Sequence, residues 1–270
     1  LDSMNLPEGV ERALRRAIAR PSGMVLVTGP TGSGKTTTLY AALAEIDAEQ
    51  QKIITVEDPI EYRLPGLTQV QVHDKIELTF ARVLRACLRQ DPDVILVGEI
   101  RDLPTADMAV QAALTGHLVF STLHTNDAPS AITRLIELGI PSYLIHATLL
   151  GVLAQRLVRK LCKQCKEPDE AASHEALADA VKPWKLSGDY RPFKPVGCVD
   201  CRMTGFRGRM GLYELLTVSE KFKHELTKEP SLSGMRRQAV VDGMRPLRLA
   251  GALRVAEGLT TLEEVLSATP

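Results

Sequence analysis

The sequence predicts an α/β fold built on a predominantly parallel sheet, and three observations lead to this prediction. Short apolar runs of strand length alternate with helical stretches through residues 1–160. A glycine-rich loop of the kind that binds phosphate joins the first strand to the helix after it. With 270 residues, 44% of them hydrophobic, the chain can also bury one large core and carry a smaller appendage.

The first element is a phosphate-binding loop with the pattern G-x-x-x-x-G-K-[ST], between an apolar strand at 24–27 and a helix predicted over 37–48. Its glycines allow backbone N–H groups to converge on phosphate oxygens. We expect Lys35 to contact the β- and γ-phosphates and the Thr36 hydroxyl to ligate Mg²⁺. The predicted nucleotide-binding residues are Gly29, Pro30, Thr31, Gly32, Ser33, Gly34, Lys35, Thr36 and Thr37.

Three further apolar strands are predicted at residues 52–56, 94–97 and 118–122. Their continuous apolar character is typical of a parallel sheet with both faces covered by helices. A short alternating run at 68–72 and helices over 79–90 and 104–114 lie between them. Ligands of such sheets bind at the carboxyl ends of the strands, so the residues after each strand are the candidates for function.

Polar side chains are concentrated at those positions. Glu57 and Glu61 follow the second strand, Glu99 follows the third, and His117 and His124 flank the fourth. Acidic residues beside a phosphate loop suit Mg²⁺ coordination, direct or through water, and polarisation of an attacking water. A single glutamate would more simply cap a helix or lie in solvent, but three clusters converging on one edge favour a catalytic site.

A second signal is a pair of C-x₂-C motifs separated by residues 166–197. Four thiolates in this pattern predict a closed, structural zinc site. The separation exceeds the usual one of about 15–20 residues, so the intervening segment is expected to loop out. Two disulfides and a redox C-x-x-C site are the alternatives, and Cys87 is interpreted as a core residue. The predicted zinc ligands are Cys162, Cys165, Cys198 and Cys201.

Charge and hydropathy argue against several other classes of protein. The 33 basic and 33 acidic residues balance, so no overall field attracts nucleic acid or anionic lipid. No apolar stretch is long enough to span a membrane, and the start lacks the features of a signal peptide. Because the first residue is not Met, we expect an excised fragment. The cysteines are nevertheless surrounded by basic residues, namely Arg156, Arg159, Lys160, Lys163, Lys166, Arg202, Arg207 and Arg209.

Residues 23–215 resemble the motor domain of the ATPases that drive type II secretion and type IV pilus assembly. The resemblance rests on the phosphate loop, the acidic box at 54–62, the Walker B-like segment at 94–102 and the histidine box at 113–126, which match in order. It implies a RecA-like P-loop core, a homo-hexamer, and hydrolysis of ATP coupled to moving a pilin or pseudopilin fibre. Secretion and pilus-assembly motors commonly carry a tetracysteine insert, whereas retraction motors and conjugation relatives lack it.

Mapped onto this chain, the resemblance makes Glu57 the expected water-activating residue, with Glu61 as its substitute. Glu99 would act on Mg²⁺ through water because the third strand ends in Gly–Glu rather than Asp, and His124 and His117 would sense the γ-phosphate. The general base is left open among the three glutamates. The implied partners are an inner-membrane platform and cytoplasmic adaptor proteins, with the motor cytoplasmic and peripheral to the inner membrane.

The expected domains are a RecA-like ATPase core at 1–160, a zinc-binding subdomain at 161–210 and a helical C-terminal region at 211–270. In the last region Gly243, Gly251 and Gly258 are expected to mark breaks between helices. Residues 164–195 are expected to be the least ordered. The alternative function is a RecA-like nucleic-acid motor, such as a helicase or DNA-translocating ATPase, that grips its substrate with the basic zinc module. Balanced charge and sparse aromatic residues argue against that alternative, so no nucleic-acid partner is expected.

Overall fold

A computed structural model describes residues 1–169, 174–184, 190, 192–227 and 230–270 of the chain. These residues form two units. The first comprises Leu1–Thr31, Lys35–Ala154 and Leu215–Met244, and the second comprises Gly32–Gly34, Gln155–Glu214 and Arg245–Pro270. The division of the chain at residues 160 and 210 stays a prediction. Part of the segment expected to be least ordered, residues 170–173, 185–189 and 191, lies outside the described residues.

Strands and helices alternate through the first unit in the predicted way. The strands are β1 (Gly23–Thr28), β2 (Ile53–Glu57), β3 (Thr68–Gln71), β4 (Val94–Val97), β5 (Leu118–Leu123), β6 (Leu149–Leu161), β7 (Glu167–Pro168), β8 (Phe193–Lys194) and β9 (Phe206–Thr217). The helices are α1 (Glu8–Ile18), α2 (Lys35–Leu43), α3 (Phe80–Cys87), α4 (Leu103–Leu114), α5 (Ala128–Glu137), α6 (Ser142–Thr148), α7 (His174–Ala180), α8 (Glu220–Thr227), α9 (Leu232–Val241), α10 (Leu247–Ala256) and α11 (Leu262–Ala268).

The sheet has the strand order β3-β2-β4-β5-β1-β6-β9, and in the first unit β1 to β5 and the start of β6 are paired in parallel. Every residue of β1, β2, β4 and β5 is buried, which explains why these strands read as continuous apolar runs. After β1 the chain forms β2 and β3 at one end of the sheet, and β4 and β5 then fill the space between β2 and β1. As a result β5 lies between β1, the strand before the phosphate loop, and β4. This order confirms the predicted fold class.

Local sequence fixes where the helices begin. The Asp102 carboxylate accepts a hydrogen bond from Thr105 N at 2.8 Å, and Asp127 accepts one from Ser130 N, also at 2.8 Å. Both helices that follow carry proline in their first turn, where a missing N–H costs nothing. The short loops between β4 and α4, and between β5 and α5, are thereby held close to the strand ends.

The second unit contains the outer parts of β6 and β9, the β7–β8 ladder, the four cysteines and helices α10 and α11. Gly251 was expected to break a helix, but it lies inside α10. A Cβ there would stand 2.4 Å from the Val265 side chain, so the missing side chain allows α10 and α11 to approach closely. The apolar run at 212–216, at the start of the expected C-terminal region, lies in β9.

No helix among the described residues is both long enough and apolar enough to cross a lipid bilayer.

Candidate nucleotide and metal sites

Four strand ends of the parallel sheet meet at one edge of the first unit. The phosphate loop begins after β1, Glu57 ends β2, Glu99 follows β4 and His124 follows β5. Because all four strands run in the same direction, their carboxyl ends lie side by side. The structure therefore brings Lys35, Glu57, Glu99 and His124 to the same edge, as the sequence predicts.

The backbone of the phosphate loop adopts conformations that suit glycine. Gly29, Gly32 and Gly34 have φ values of 148°, 78° and 87°. Lys35 opens α2, and its ammonium group donates to the carbonyls of Gly29 at 2.8 Å and Pro30 at 3.1 Å. The lysine charge is thus folded over the first part of the loop, in the position from which it can meet a phosphate.

In the second unit, the Gln155 side-chain amide donates to the Ser33 carbonyl at 2.6 Å, which supports the middle of the loop from β6. A Cβ at Gly34 would stand 3.1 Å from the same amide nitrogen. Both the positive φ and this close approach favour glycine at position 34. Sequence reasoning did not identify Gln155, because nothing in its own neighbourhood indicates that β6 pairs with β1.

Glu57 is the most enclosed of the candidate glutamates, with only 3% of its surface exposed. Its carboxylate accepts hydrogen bonds from the hydroxyls of Tyr40 and Thr55, and from the Gln69 amide at 3.3 Å. A buried carboxylate needs several such donors, because transfer of a charge out of water is costly. The geometry holds the Glu57 carboxylate in one orientation at the end of β2.

Sequence analysis missed these three donors. Thr55 was detectable, since it lies two residues before Glu57 on the same face of a strand. Gln69 pairs with Thr55 across the β2–β3 ladder, and Tyr40 comes from α2. Contacts of that kind depend on strand order and helix packing, which no local pattern reports.

Glu99 lies between two cationic or potentially cationic groups. Its carboxylate contacts the Arg101 guanidinium at 2.5 Å and the His124 Nε2 at 3.5 Å. Desolvation, followed by the nearby positive charge of Lys35, lowers the pKa of His124, although Glu99 acts in the opposite direction. His124 is therefore expected to be neutral at pH 7 and able to donate or accept a hydrogen bond.

A threonine pair holds the loop that carries His124. The Thr28 and Thr125 hydroxyl oxygens are 2.8 Å apart, and Thr125 N donates to Thr28 Oγ1 at 2.9 Å. Thr28 also donates to the Leu123 carbonyl at 3.1 Å. These bonds tie the end of β5 to the end of β1, and so fix His124 beside the phosphate loop.

His117 and Glu61 are placed differently from the other predicted catalytic residues. The structure does not bring His117 to this edge within one chain, because His117 precedes β5 and its carbonyl accepts from Gly23 N at the start of β1. Across six strand residues this amounts to about 20 Å from the strand ends. Glu61 lies on the loop after β2 and is exposed, so its side chain is not enclosed as that of Glu57 is.

The four cysteines of the second unit form a cluster whose sulfur atoms all lie within 4.8 Å of one another. The Sγ–Sγ distances are 3.9 Å for Cys162–Cys198, 3.8 Å for Cys165–Cys201 and 3.7 Å for Cys198–Cys201. A tetrahedral ion with Zn–S bonds of about 2.3 Å requires S–S distances of about 3.8 Å, whereas a disulfide requires about 2.05 Å. All four are free cysteines, and their spacing fits zinc.

The environment of Cys201 favours the thiolate form that zinc requires. Desolvation opposes ionisation, but hydrogen bonds from the backbone N–H groups of Cys198 and Gly205, at 3.1 and 3.2 Å, lower the pKa of Cys201 to about 6. Desolvation raises the pKa of its neighbour Cys165 to about 11. One thiolate at neutral pH is thus prepared by the protein, and a bound cation would ionise the others.

Several of the basic side chains near the cysteines are engaged within the second unit. Arg156 is buried and donates to the Ala268 carbonyl at 3.0 Å. Arg159 pairs with Glu264 and lies 4.1 Å from the centre of the Phe206 ring. Lys166 donates to the Gly258 carbonyl at 2.7 Å. These three residues contribute to the stability of the second unit, whereas Lys163, Arg202, Arg207 and Arg209 are exposed.

Comparison with known proteins finds relatives among type II secretion and type IV pilus assembly proteins. The chain is 48% identical to the type II secretion system protein HxcR of Pseudomonas aeruginosa, over 100% of this chain and 53% of the relative. It is 49% identical to the type IV pilus assembly ATPase PilB of Myxococcus xanthus, over 94% of this chain and 45% of the relative. It is 51% identical to the type II secretion system ATPase E of Vibrio cholerae, over 94% of this chain and 50% of the relative.

Solved structures show the same fold. The crystal structure of the pilus retraction motor PilT with bound ADP is 30% identical and superposes with a TM-score of 0.73, over 100% of this chain and 66% of that chain. The ATPase DotB of Legionella pneumophila is 26% identical with a TM-score of 0.72, over 99% of this chain and 64% of that chain. The chain spans about half the length of the curated relatives it matches. The model of the type II/IV secretion system protein family matches residues 1–267, and the chain belongs to that family.

Proposed function

We propose that the chain is the ATP-hydrolysing motor portion of a machine that assembles a pilin or pseudopilin fibre, for type II secretion or for type IV pilus extension. The observation that carries this proposal is the convergence of Lys35, Glu57, Glu99 and His124 at the carboxyl edge of the sheet. Family membership and the relatives named as assembly and secretion ATPases support it. The identities of 49% and 51% do not separate the two machines.

In this proposal residues Gly29–Thr37 bind ATP, and Lys35 neutralises charge on its β- and γ-phosphates. Thr36 would ligate Mg²⁺, which would balance the charge of the phosphates, and Glu99 would act on the ion through water. Glu57 orients the attacking water and accepts its proton, with Glu61 as the substitute on the neighbouring loop. His124, neutral and beside Glu99, is suited to sense the γ-phosphate through a hydrogen bond.

The cysteine cluster is proposed to hold one structural zinc ion. Four thiol ligands and no open position leave no place for a substrate, so the ion would link β6 to the turn before β9 rather than take part in catalysis. The proposed assembly is a homo-hexamer that acts at the inner membrane through platform and adaptor proteins. Its proposed location is therefore cytoplasmic and peripheral to that membrane.

Phosphate release by the purified chain tests the proposal, with Lys35→Ala as the inactive control. We expect Mg²⁺-dependent ATP hydrolysis that is lost in the variant, together with loss of secretion or piliation when the same substitution is made in the cell. DNA should not stimulate the rate at low or at high salt. Stimulation that falls steeply with salt would indicate a nucleic-acid motor, and a wild-type protein without ATPase activity in any assembly state would overturn the proposal.

A further inference from the structure

We propose that Tyr40 is a positioning residue for Glu57, which couples the water-activating carboxylate to the helix that begins at the phosphate loop. The inference rests on the proposed ATPase function. It adds a residue that no motif in the sequence contains, and a mechanical link between two parts of the candidate site.

Tyr40 and Glu57 are in direct contact. The Tyr40 hydroxyl donates a hydrogen bond to Glu57 Oε2, and the two residues are 2% and 3% exposed. Desolvation, followed by the hydrogen bond to Glu57, raises the pKa of Tyr40. The phenol therefore stays protonated at every pH at which the enzyme works, so it is a permanent donor to one carboxylate oxygen.

Tyr40 lies on α2. Lys35 is the first residue of this helix and Tyr40 lies five residues later, which is about 7.5 Å along the axis. Lys35 and Tyr40 are therefore held on the same continuous helix. A movement of the start of α2 would carry the Tyr40 hydroxyl with it and so act on Glu57.

Tyr40 also contacts the loop that follows β2. The Tyr40 ring packs edge-on against Tyr62, with ring centres 4.7 Å apart and an interplanar angle of 82°. The Tyr40 oxygen also accepts a long hydrogen bond from the Gln69 amide, at 3.5 Å. Tyr40 consequently joins three elements: α2, the end of β2 and the loop that carries the substitute base.

Two further donors complete the support of the carboxylate. Thr55 donates to Glu57 Oε1 from the same face of β2, and the Gln69 amide, 3.3 Å from that oxygen, also contacts the Tyr62 carbonyl at 3.2 Å. Each carboxylate oxygen therefore has a hydroxyl donor from the protein. Removal of either hydroxyl leaves the carboxylate buried but freer to rotate, and the loss should fall on the chemical step rather than on ATP binding.

Steady-state ATPase kinetics of Tyr40→Phe in the purified full chain test the proposal. We expect kcat to fall about 10-fold, a part of the full general-base contribution, while KM for ATP changes less than about 2-fold. Tyr143→Phe is the matched control, because it removes the hydroxyl of a tyrosine that is 66% exposed on α6. Its kcat should equal that of the wild type. An unchanged kcat in Tyr40→Phe would overturn the proposal.

A double-mutant cycle separates positioning from a merely structural role. In a Glu57→Gln background Tyr40→Phe should cause no further loss of kcat, because the residue acts only through Glu57. A further 10-fold loss would contradict that route. If Tyr40→Phe is less stable, as judged by thermal melting, kcat is measured per mole of folded protein well below the melting temperature, and a value equal to that of the wild type still overturns the proposal. An active Glu57→Gln enzyme would instead contradict the proposed role of Glu57, and so distinguishes failure of the proposed function.

Discussion

Glu99 and His124, which follow adjacent parallel strands, lie with their facing carboxylate oxygen and imidazole nitrogen 3.5 Å apart. Arg101 contacts the other carboxylate oxygen at 2.5 Å, so Glu99 bridges the two groups. The pair joins Glu99, which is proposed to contact Mg²⁺ through water, to His124, the proposed γ-phosphate sensor. A change in the charge or position of either residue is therefore expected to affect the other.

This arrangement predicts the titration of His124. Its midpoint, followed by NMR of the imidazole, should lie below the ordinary value of about 6.5, because desolvation and the Lys35 charge both disfavour the imidazolium ion. Lys35→Ala should raise the midpoint, since it removes a positive charge. Glu99→Gln should lower it, since it removes the negative charge that favours protonation. A midpoint that does not respond to either substitution would show that the three side chains do not interact.

Lys35→Ala should abolish nucleotide binding or turnover. The substitution removes the only charge within the loop itself, and no other group in the motif can neutralise the β- and γ-phosphates. Binding of a fluorescent ATP analogue and phosphate release measure the two effects. Lys221→Ala, an exposed position in α8, is the control for loss of a lysine and should behave as the wild type. Normal hydrolysis by Lys35→Ala would refute the site assignment.

Glu57→Gln should leave nucleotide bound and slow its hydrolysis by about 10²-fold or more. Glutamine keeps the shape of the side chain, and its single amide oxygen can accept from one of the two hydroxyls of Tyr40 and Thr55 while its NH₂ group faces the other, but it cannot accept a proton from water. Glu61→Gln, on the exposed loop, provides the comparison. If Glu61→Gln is the slower enzyme, Glu61 is the base. If the affinity of Glu57→Gln for ATP collapses together with its rate, Glu57 is a binding residue.

The four strand ends were predictable because each depends on local information. An apolar run indicates a buried strand, parallel strands share an edge, and polar residues after a strand lie at that edge. His117 precedes its strand and so lies at the opposite edge within one chain, and its role as a γ-phosphate sensor stays a prediction. A residue next to a strand in the sequence can lie at either end of it, and the direction of the strand determines which end that is.

The partners of Glu57 and the support of Ser33 could not be predicted in this way. Tyr40 of α2 reaches Glu57 of β2 across the tertiary structure, and Gln155 reaches Ser33 from β6, the strand that pairs with β1. Gly251 illustrates the same limit, since a glycine inside a helix and one that ends a helix look alike until the packing partner, here Val265, is known. Long-range packing determines these contacts.

Elemental analysis should find about one zinc ion per chain, and Cys201→Ser should lose it along with thermal stability of the second unit. Cys87→Ala is the matched control, because Cys87 is a buried residue at the end of α3 in the first unit. This substitution should not change the zinc content. Zinc should also be released as the pH falls, since protons compete for the thiolates. Two disulfides in freshly reduced protein, seen by mass spectrometry, would contradict the zinc site.

ATP hydrolysis should depend on assembly, because ring ATPases complete the site with a positive charge from a neighbouring subunit. An arginine supplied in this way is worth about 10³–10⁵ in rate in related P-loop enzymes. Arg63 is the candidate in this chain, because it is exposed on the loop after β2. Among the described residues, its guanidinium forms one hydrogen bond, to the backbone carbonyl of Gln69 at 3.3 Å. Arg101 is already paired with Glu99.

Mixing two inactive variants tests this assignment. Arg63→Ala keeps an intact phosphate loop but lacks the arginine, whereas Lys35→Ala lacks the loop lysine but retains Arg63. If Arg63 acts on the neighbouring subunit, mixed assemblies should recover part of the wild-type rate, in proportion to the number of interfaces that combine one intact loop with one intact arginine. Arg82→Ala, an exposed arginine paired with Glu77, should not lose activity alone. No recovery on mixing, despite assembly confirmed by light scattering, would place Arg63 within its own subunit, and a rate independent of protein concentration would show that each subunit is a self-contained ATPase.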